Sequence, residues 1–117
     1  MSQKDAASAT KETVPEISVE DLKRKLDAKE DVYVLDVREP HEYQICNIGG
    51  HLIPLGELPN RLRELDPKQE IVVHCRSGGR SSKAVSLLQQ SGFTKVRNLA
   101  GGILAWADRI DRRLTKY

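Results

Sequence analysis

Seven consecutive residues, Cys75-Arg76-Ser77-Gly78-Gly79-Arg80-Ser81, combine a nucleophile with groups that favour its charged form. Two glycines are free to take positive φ, and two arginines and two serines add cations and hydroxyls. A Gly-rich loop running into a helix points several unpaired backbone N–H groups at one spot, which attracts negative charge. A cysteine at the rim of such a nest is driven toward thiolate, below the free value of about 8.5. The pattern therefore predicts Cys75 as a nucleophile, with Arg76, Ser77, Gly78, Gly79, Arg80 and Ser81 binding an anionic substrate.

The elements that must position this loop are legible on either side of it. Ile71, Val72 and Val73 form a β-branched run suited to a strand buried on both faces of a parallel sheet. Ala84, Val85, Leu87 and Leu88 then follow a helical period. The spacing also narrows the chemistry. Cysteine phosphatases place the loop arginine one position farther from the cysteine than Arg80 lies here, and that farther position is Ser81. The shorter cradle suits one extra sulfur atom better than a tetrahedral phosphate. A phosphatase, which the His74-Cys75 pair would invite, is thereby disfavoured. A Cys75–His74 dyad is disfavoured too, because successive strand residues point to opposite faces.

Upstream, Ile17 to Ala28 reads as a helix with Ser18 as N-cap, Glu20 and Asp21 in the first turn, and Val19, Leu22 and Leu26 on one face. Asp31 to Arg38 reads as a strand that Pro40 prevents from continuing simply. His41 to Tyr43 begin a short helical turn. His51 to Leu55 is a short strand or extended segment, and Gly56 to Leu65 is a helix with Leu58, Leu62 and Leu65 on one face. Downstream, Gly92 ends the central helix, Lys95 to Leu99 is a strand, and Gly101-Gly102 open a last helix. The two glycines permit close backbone approach beside the loop. Trp106 is read as a packing anchor. Strand and helix in alternation predict an α/β domain, a mostly parallel central sheet with helices on both faces and the loop at the strands' carboxyl ends.

The loop from Cys75 to Arg80 resembles the active-site loop of rhodanese domains, sulfurtransferases that carry sulfur as a cysteine persulfide. Asp36 to Tyr43, DVREPHEY, resembles that family's second signature, and Gly101-Gly102 with Trp106 resembles a third. The resemblance runs from about Pro15 to Trp106 with the motifs in order. It implies a three-layer rhodanese-like fold, Cys75 as the persulfide carrier, Asp36 and Arg38 as supports of the loop, and no metal or organic cofactor. The donor it implies is thiosulfate or the persulfide of a cysteine desulfurase.

Two further segments, Gln44-Ile45-Cys46 and Ile53 to Leu58, are similar to rhodanese domains fused to the adenylyltransferases of molybdopterin biosynthesis and tRNA thiolation. That likeness implies a small ubiquitin-like sulfur-carrier protein as acceptor. The alternatives are a stand-alone thiosulfate sulfurtransferase serving cyanide or small thiols, and a non-catalytic binding module. Intact Cys75, Gly78 and Arg80 weigh against the last.

Composition sets the remaining bounds. The chain has 117 residues, enough for one domain with a core, and is read as a flexible leader at 1–14 and a domain at 15–117. A net charge of +2, from 19 basic and 17 acidic residues, gives no argument for nucleic acid. No apolar segment approaches a membrane span, and residues 1–13 lack the apolar core of a secretory signal. With only Cys46 and Cys75, at no metal-type spacing, a reducing cytoplasm fits best. Cys46 is read as a small buried hydrophobe, His41, His51 and His74 as structural, and the Arg109, Arg112, Arg113 and Lys116 cluster as a solvated face.

Overall fold

The computed structural model describes residues 14–117. Most of the expected leader lies outside the described residues. Val14, its last member, is partly buried and packs on the core, so the packed region reaches one residue beyond the expected boundary.

Five parallel strands form one sheet in the order β1-β5-β4-β2-β3. They are β1 (Glu16–Ile17), β2 (Val32–Asp36), β3 (His51–Leu52), β4 (Glu70–His74) and β5 (Val96–Leu99). The helices are α1 (Val19–Asp27), α2 (Pro40–Ile45), α3 (Gly79–Gln90) and α4 (Gly102–Arg109). Ser18 caps α1 as its sequence position predicts, accepting from the Asp21 N–H at 3.0 Å. Residues expected as a helix from Gly56 to Leu65 instead form two 3₁₀ segments, Leu55–Asn60 and Leu62–Glu64. Pro59 explains the difference: it has no N–H for an α-helical hydrogen bond, and its ring opposes the preceding turn.

Alternation along β4 divides the core. Ile71 and Val73 face a layer with Leu35, Ile53, Leu58, Ala84, Val85 and Leu88, supplied by α3 and the 3₁₀ segments. Val72 faces the opposite layer with Ile17, Val19, Leu22, Leu99 and Trp106, supplied by α1 and α4. Helices thus cover both faces, and Trp106 is a core residue, 8% exposed. Deleting a side chain such as Leu22, fully buried here, costs about 2–5 kcal/mol.

The register brings three polar residues to the carboxyl end of the sheet. Asp36 of β2 lies opposite His74 of β4, and Asn98 of β5 lies opposite Val73. Connections leave β2 toward β3 and β4 toward β5, in opposite directions across the sheet. Cys75 therefore follows β4 where an α/β sheet opens its ligand crevice. No helix among the described residues is long and apolar enough to cross a membrane.

Candidate active site

Cys75 leaves β4 and the chain turns at once into α3, so its sulfur faces the helix entrance. Gly78 takes φ +126°, a value L side chains rarely adopt, and its N–H donates to Cys75 Sγ at 3.1 Å. Gly79, expected to share that freedom, is the first residue of α3 and has no neighbour within 4 Å of an added Cβ. Only one of the two glycines is conformationally required.

Cys75 is 1% exposed. Burial alone would push its thiol up, but the Ser81 hydroxyl and the backbone N–H groups of Ser81, Gly78 and Ser77 outweigh it and hold the thiol below its ordinary range. Ser81 Oγ lies 3.4 Å from Sγ and 2.6 Å from Asn98 Oδ1. A hydroxyl has one proton, and Asn98 is oriented by its Nδ2 donating to Gly78 O at 3.2 Å. The shorter contact takes that proton at rest, leaving the backbone N–H groups as the standing donors to sulfur. When Cys75 is ionised, the same proton can rotate to it.

The loop is also held from behind. The N–H groups of Ile103 and Leu104 donate to Cys75 O at 2.9 Å and Arg76 O at 3.1 Å, which requires α4 to start against the loop. Gly102 makes this possible: φ is +61°, and a Cβ would come within 2.5 Å of Arg76 O. Of the two glycines expected to allow close approach, Gly102 meets the loop, while Gly101 abuts Ala105 of its own helix.

The arginines do not lie as the loop pattern alone implies. Arg80 spends its fork on a carboxylate: its Nη1 and Nη2 donate to Glu42 Oε1 and Oε2 at 2.6 and 2.9 Å. Arg80 thereby holds the Glu42 carboxyl well below the usual carboxylate range against the opposing effect of burial. The Glu39 N–H and the Tyr117 hydroxyl also donate to that carboxylate, at 3.0 and 2.8 Å. Arg76 is exposed, and its Nε donates to the main-chain oxygen of Tyr117 at 2.6 Å.

Asp36 and Arg38 are fully buried, so Arg38 is not a surface arginine. Arg38 Nε and Nη2 grip Asp36 at 2.9 and 2.7 Å, and its remaining N–H groups reach the Cys46 and Glu42 carbonyls and the Tyr117 hydroxyl. The pair reaches the loop through Glu42 and Tyr117, and Asp36 also lies 3.7 Å from His74, the residue before Cys75. Sequence reasoning missed Glu42, Tyr117 and Asn98. The Glu39-x-x-Glu42 capping box was a visible signal, whereas nothing local marks Tyr117 or Asn98.

His74 is buried, neutral because burial pushes its pKa down, and 3.7 Å from Asp36 through Nε2. Among the described residues its ring makes no hydrogen bond to Sγ. His51 stacks on Tyr33 with centroids 4.3 Å apart. Cys46 is buried. In the terminal basic cluster Arg109 pairs with Glu20 at 2.8 Å, Arg113 with Asp111 at 2.9 Å, and Lys116 with Asp108.

Residues 18–109 match the model of the rhodanese-like domain family. The chain belongs to that family. This rhodanese-like chain is 41% identical over 95 residues to a sulfurtransferase of Allochromatium vinosum, covering 80% of the chain and 89% of the relative. It is 40% identical over 106 residues to the putative sulfur carrier protein YrkF of Bacillus subtilis, covering 90% of the chain but 57% of that protein. A maize adenylyltransferase and sulfurtransferase, MOCS3-2, is 35% identical over 124 residues, covering 97% of the chain and 26% of its own length. The chain thus spans little more than half of one of these relatives and about a quarter of another. Among solved structures, a rhodanese-related protein of Thermoplasma volcanium superposes with a TM-score of 0.74 at 31% identity, covering 82% of this chain and 93% of that one. A thiosulfate sulfurtransferase of Pseudomonas aeruginosa gives 0.73 at 32%, covering 80% of this chain and 19% of that one.

Proposed function

We propose that this rhodanese-like chain is a sulfurtransferase that carries sulfane sulfur as a persulfide on Cys75. The observation that carries this reading is a buried cysteine sulfur, held below its ordinary pKa, facing backbone N–H donors at the head of a helix. The thiolate attacks the outer sulfur of thiosulfate. The S–S bond breaks, sulfite leaves with its electron pair, and the extra sulfur stays on Cys75 as the persulfide anion. A desulfurase persulfide reacts in the same way, with a cysteine thiolate leaving.

The N–H groups of Ser77, Gly78 and Ser81 stabilise the persulfide anion, and the Ser81 hydroxyl adds its proton. Arg76, exposed at the loop, meets the anionic donor. Arg80, bound to Glu42, fixes the loop's closure and supplies positive potential at longer range. Asp36 and Arg38 support the loop by holding the segment that carries Glu42. This work needs no metal or organic cofactor.

The acceptor we favour is a small ubiquitin-like sulfur-carrier protein. The maize adenylyltransferase and sulfurtransferase and the Bacillus protein named as a sulfur carrier support it, as do the Gln44-Ile45-Cys46 and Ile53 to Leu58 segments. The persulfide's terminal sulfur attacks the acyl carbon of the adenylated tail and AMP leaves. A free thiol then reduces the resulting acyl disulfide, releasing the thiocarboxylate and forming a mixed disulfide at Cys75.

A second reading, a stand-alone enzyme serving cyanide or small thiols, is favoured by the Allochromatium sulfurtransferase, nearly all of which the chain covers. The deciding experiment mixes persulfide-loaded protein, an adenylated carrier and a thiol, then weighs the carrier. Sulfur at its C-terminus supports the first reading. Carriers left unmodified while cyanide takes sulfur readily would leave the second.

A further inference from the structure

Arg80 and Glu42 are committed to each other. Glu42 Oε1 accepts from Arg80 Nη1 at 2.6 Å and from the Glu39 N–H at 3.0 Å, and Oε2 accepts from Arg80 Nη2 at 2.9 Å and from the Tyr117 hydroxyl at 2.8 Å. Each oxygen therefore holds two donors, one for each of its lone pairs. The Glu42 side chain is 9% exposed and that of Arg80 36%, so the guanidinium is the partner that solvent and solutes can reach. Arg80 is also part of the loop, following Gly79 at the head of α3. Glu42 chiefly, and a Cys75 thiolate as well, hold its proton more firmly than usual against the effect of burial.

A tetrahedral oxyanion arriving at the loop would take an open guanidinium fork with two oxygens at once. Here it must displace a carboxylate that is already paired, and leave that carboxylate poorly solvated and short of its strongest partner. Even without displacement, the charge of Glu42 offsets the attraction that Arg80 exerts on an incoming anion. We infer that Glu42 is a charge guard that sets specificity: by holding Arg80 it keeps tetrahedral oxyanions off the Cys75 loop, which then selects sulfane sulfur by charge as well as by size. The inference deepens the proposed sulfur-transfer site and rests on Cys75 as its reacting atom. The anionic donor keeps Arg76 as its contact, and Arg80 acts on the site through a field that Glu42 trims.

Inorganic sulfate and inorganic phosphate are the probes. The readout is protection of Cys75 from the neutral reagent iodoacetamide, followed on the Cys75 peptide by mass, with chloride making up a constant ionic strength so that general screening does not change. Glu42→Gln keeps the shape of the side chain and removes its charge. In that variant the concentration of either anion that halves the alkylation rate should fall about fivefold or more, the scale expected when one nearby unit charge is removed. Glu42→Ala should show the same fall, and Arg80→Gln placed in either background should abolish it. Sulfate should also become a competitive inhibitor of sulfur loading from thiosulfate in both Glu42 variants.

Protection unchanged in both Glu42 variants would overturn the inference, leaving loop size as the barrier to oxyanions. So would protection that improves but survives Arg80→Gln, because the anion would then be bound elsewhere. The two levels are separable, since alkylation needs no sulfur transfer. If the unaltered protein takes no sulfur from thiosulfate onto Cys75, the proposed function falls and the selectivity with it. If it does take sulfur, and neither anion protects the variants better, only the guard falls.

Discussion

Arg80 is bound in a two-pronged fork by Glu42, at 2.6 and 2.9 Å, across 38 residues of sequence. That contact, rather than any direct bond to sulfur, ties the loop to the turn that begins α2. Glu42 accepts in all from Arg80, Glu39 and Tyr117. Its side chain is 9% exposed, so removing Arg80 leaves a poorly solvated carboxylate short of its strongest partner.

Arg80→Ala and Glu42→Ala should each destabilise the protein, and together by less than the sum. The coupling should be about 1–2 kcal/mol, moderated because Arg80 is partly exposed. Urea unfolding of the two single variants and the double variant measures it. Additive losses would mean that the pair contributes nothing as a pair.

Glu42 also predicts an acid response. Its folded pKa is depressed, chiefly by Arg80, so its contribution is fully present above the unfolded value of about 4.3 and is lost as pH falls toward the folded one. Stability should therefore decline from about pH 5 downward, and Glu42→Gln should flatten that decline. Denaturation midpoints between neutral and acid pH check this. Equal steepness in both proteins would contradict it.

The glycines should separate sharply. Gly79 can take a Cβ into open space, so Gly79→Ala should be tolerated. Gly102→Ala places a Cβ within 2.5 Å of Arg76 O at positive φ, and Gly78→Ala forces φ +126° on a side-chain residue. Each of the latter two should cost about 1–3 kcal/mol and depress sulfur loading. Similar behaviour at all three positions, in unfolding and loading assays, would contradict the loop geometry.

Ser81 and Asn98 share one hydroxyl proton. Ser81→Ala removes a donor to the thiolate, so the Cys75 alkylation profile should shift to higher pH. Asn98→Ala removes the competing acceptor and the brace on Gly78, so loop rigidity should fall while the serine proton remains available to sulfur. A Ser81→Ala profile identical to that of the unaltered protein would leave the backbone N–H groups as the sole cause of the lowered pKa.

Local pattern made the layers and the nucleophile legible. A β-branched strand ending on Cys75, a Gly-containing loop and an apolar helical period are all contiguous, and each follows from short-range physics. The reading failed where local pattern meets an interruption or a long-range partner. Leu58, Leu62 and Leu65 keep a helical period, but Pro59 breaks the backbone hydrogen bonding that the period presumes. The orientation of Arg80 depends on Glu42, and Arg76 on Tyr117, through contacts 38 and 41 residues apart in sequence. Asn98 reaches the site only because parallel pairing of β4 with β5 sets it opposite Val73.

The central claim is that Cys75, and not Cys46, carries the sulfur. Intact-protein mass after incubation with thiosulfate, followed by cyanide treatment, tests it directly. The account predicts a gain of one sulfur atom, located on the Cys75 peptide, removed by cyanide and absent in Cys75→Ser. Cyanide-removable sulfur retained by Cys75→Ser, or found on Cys46, would contradict it.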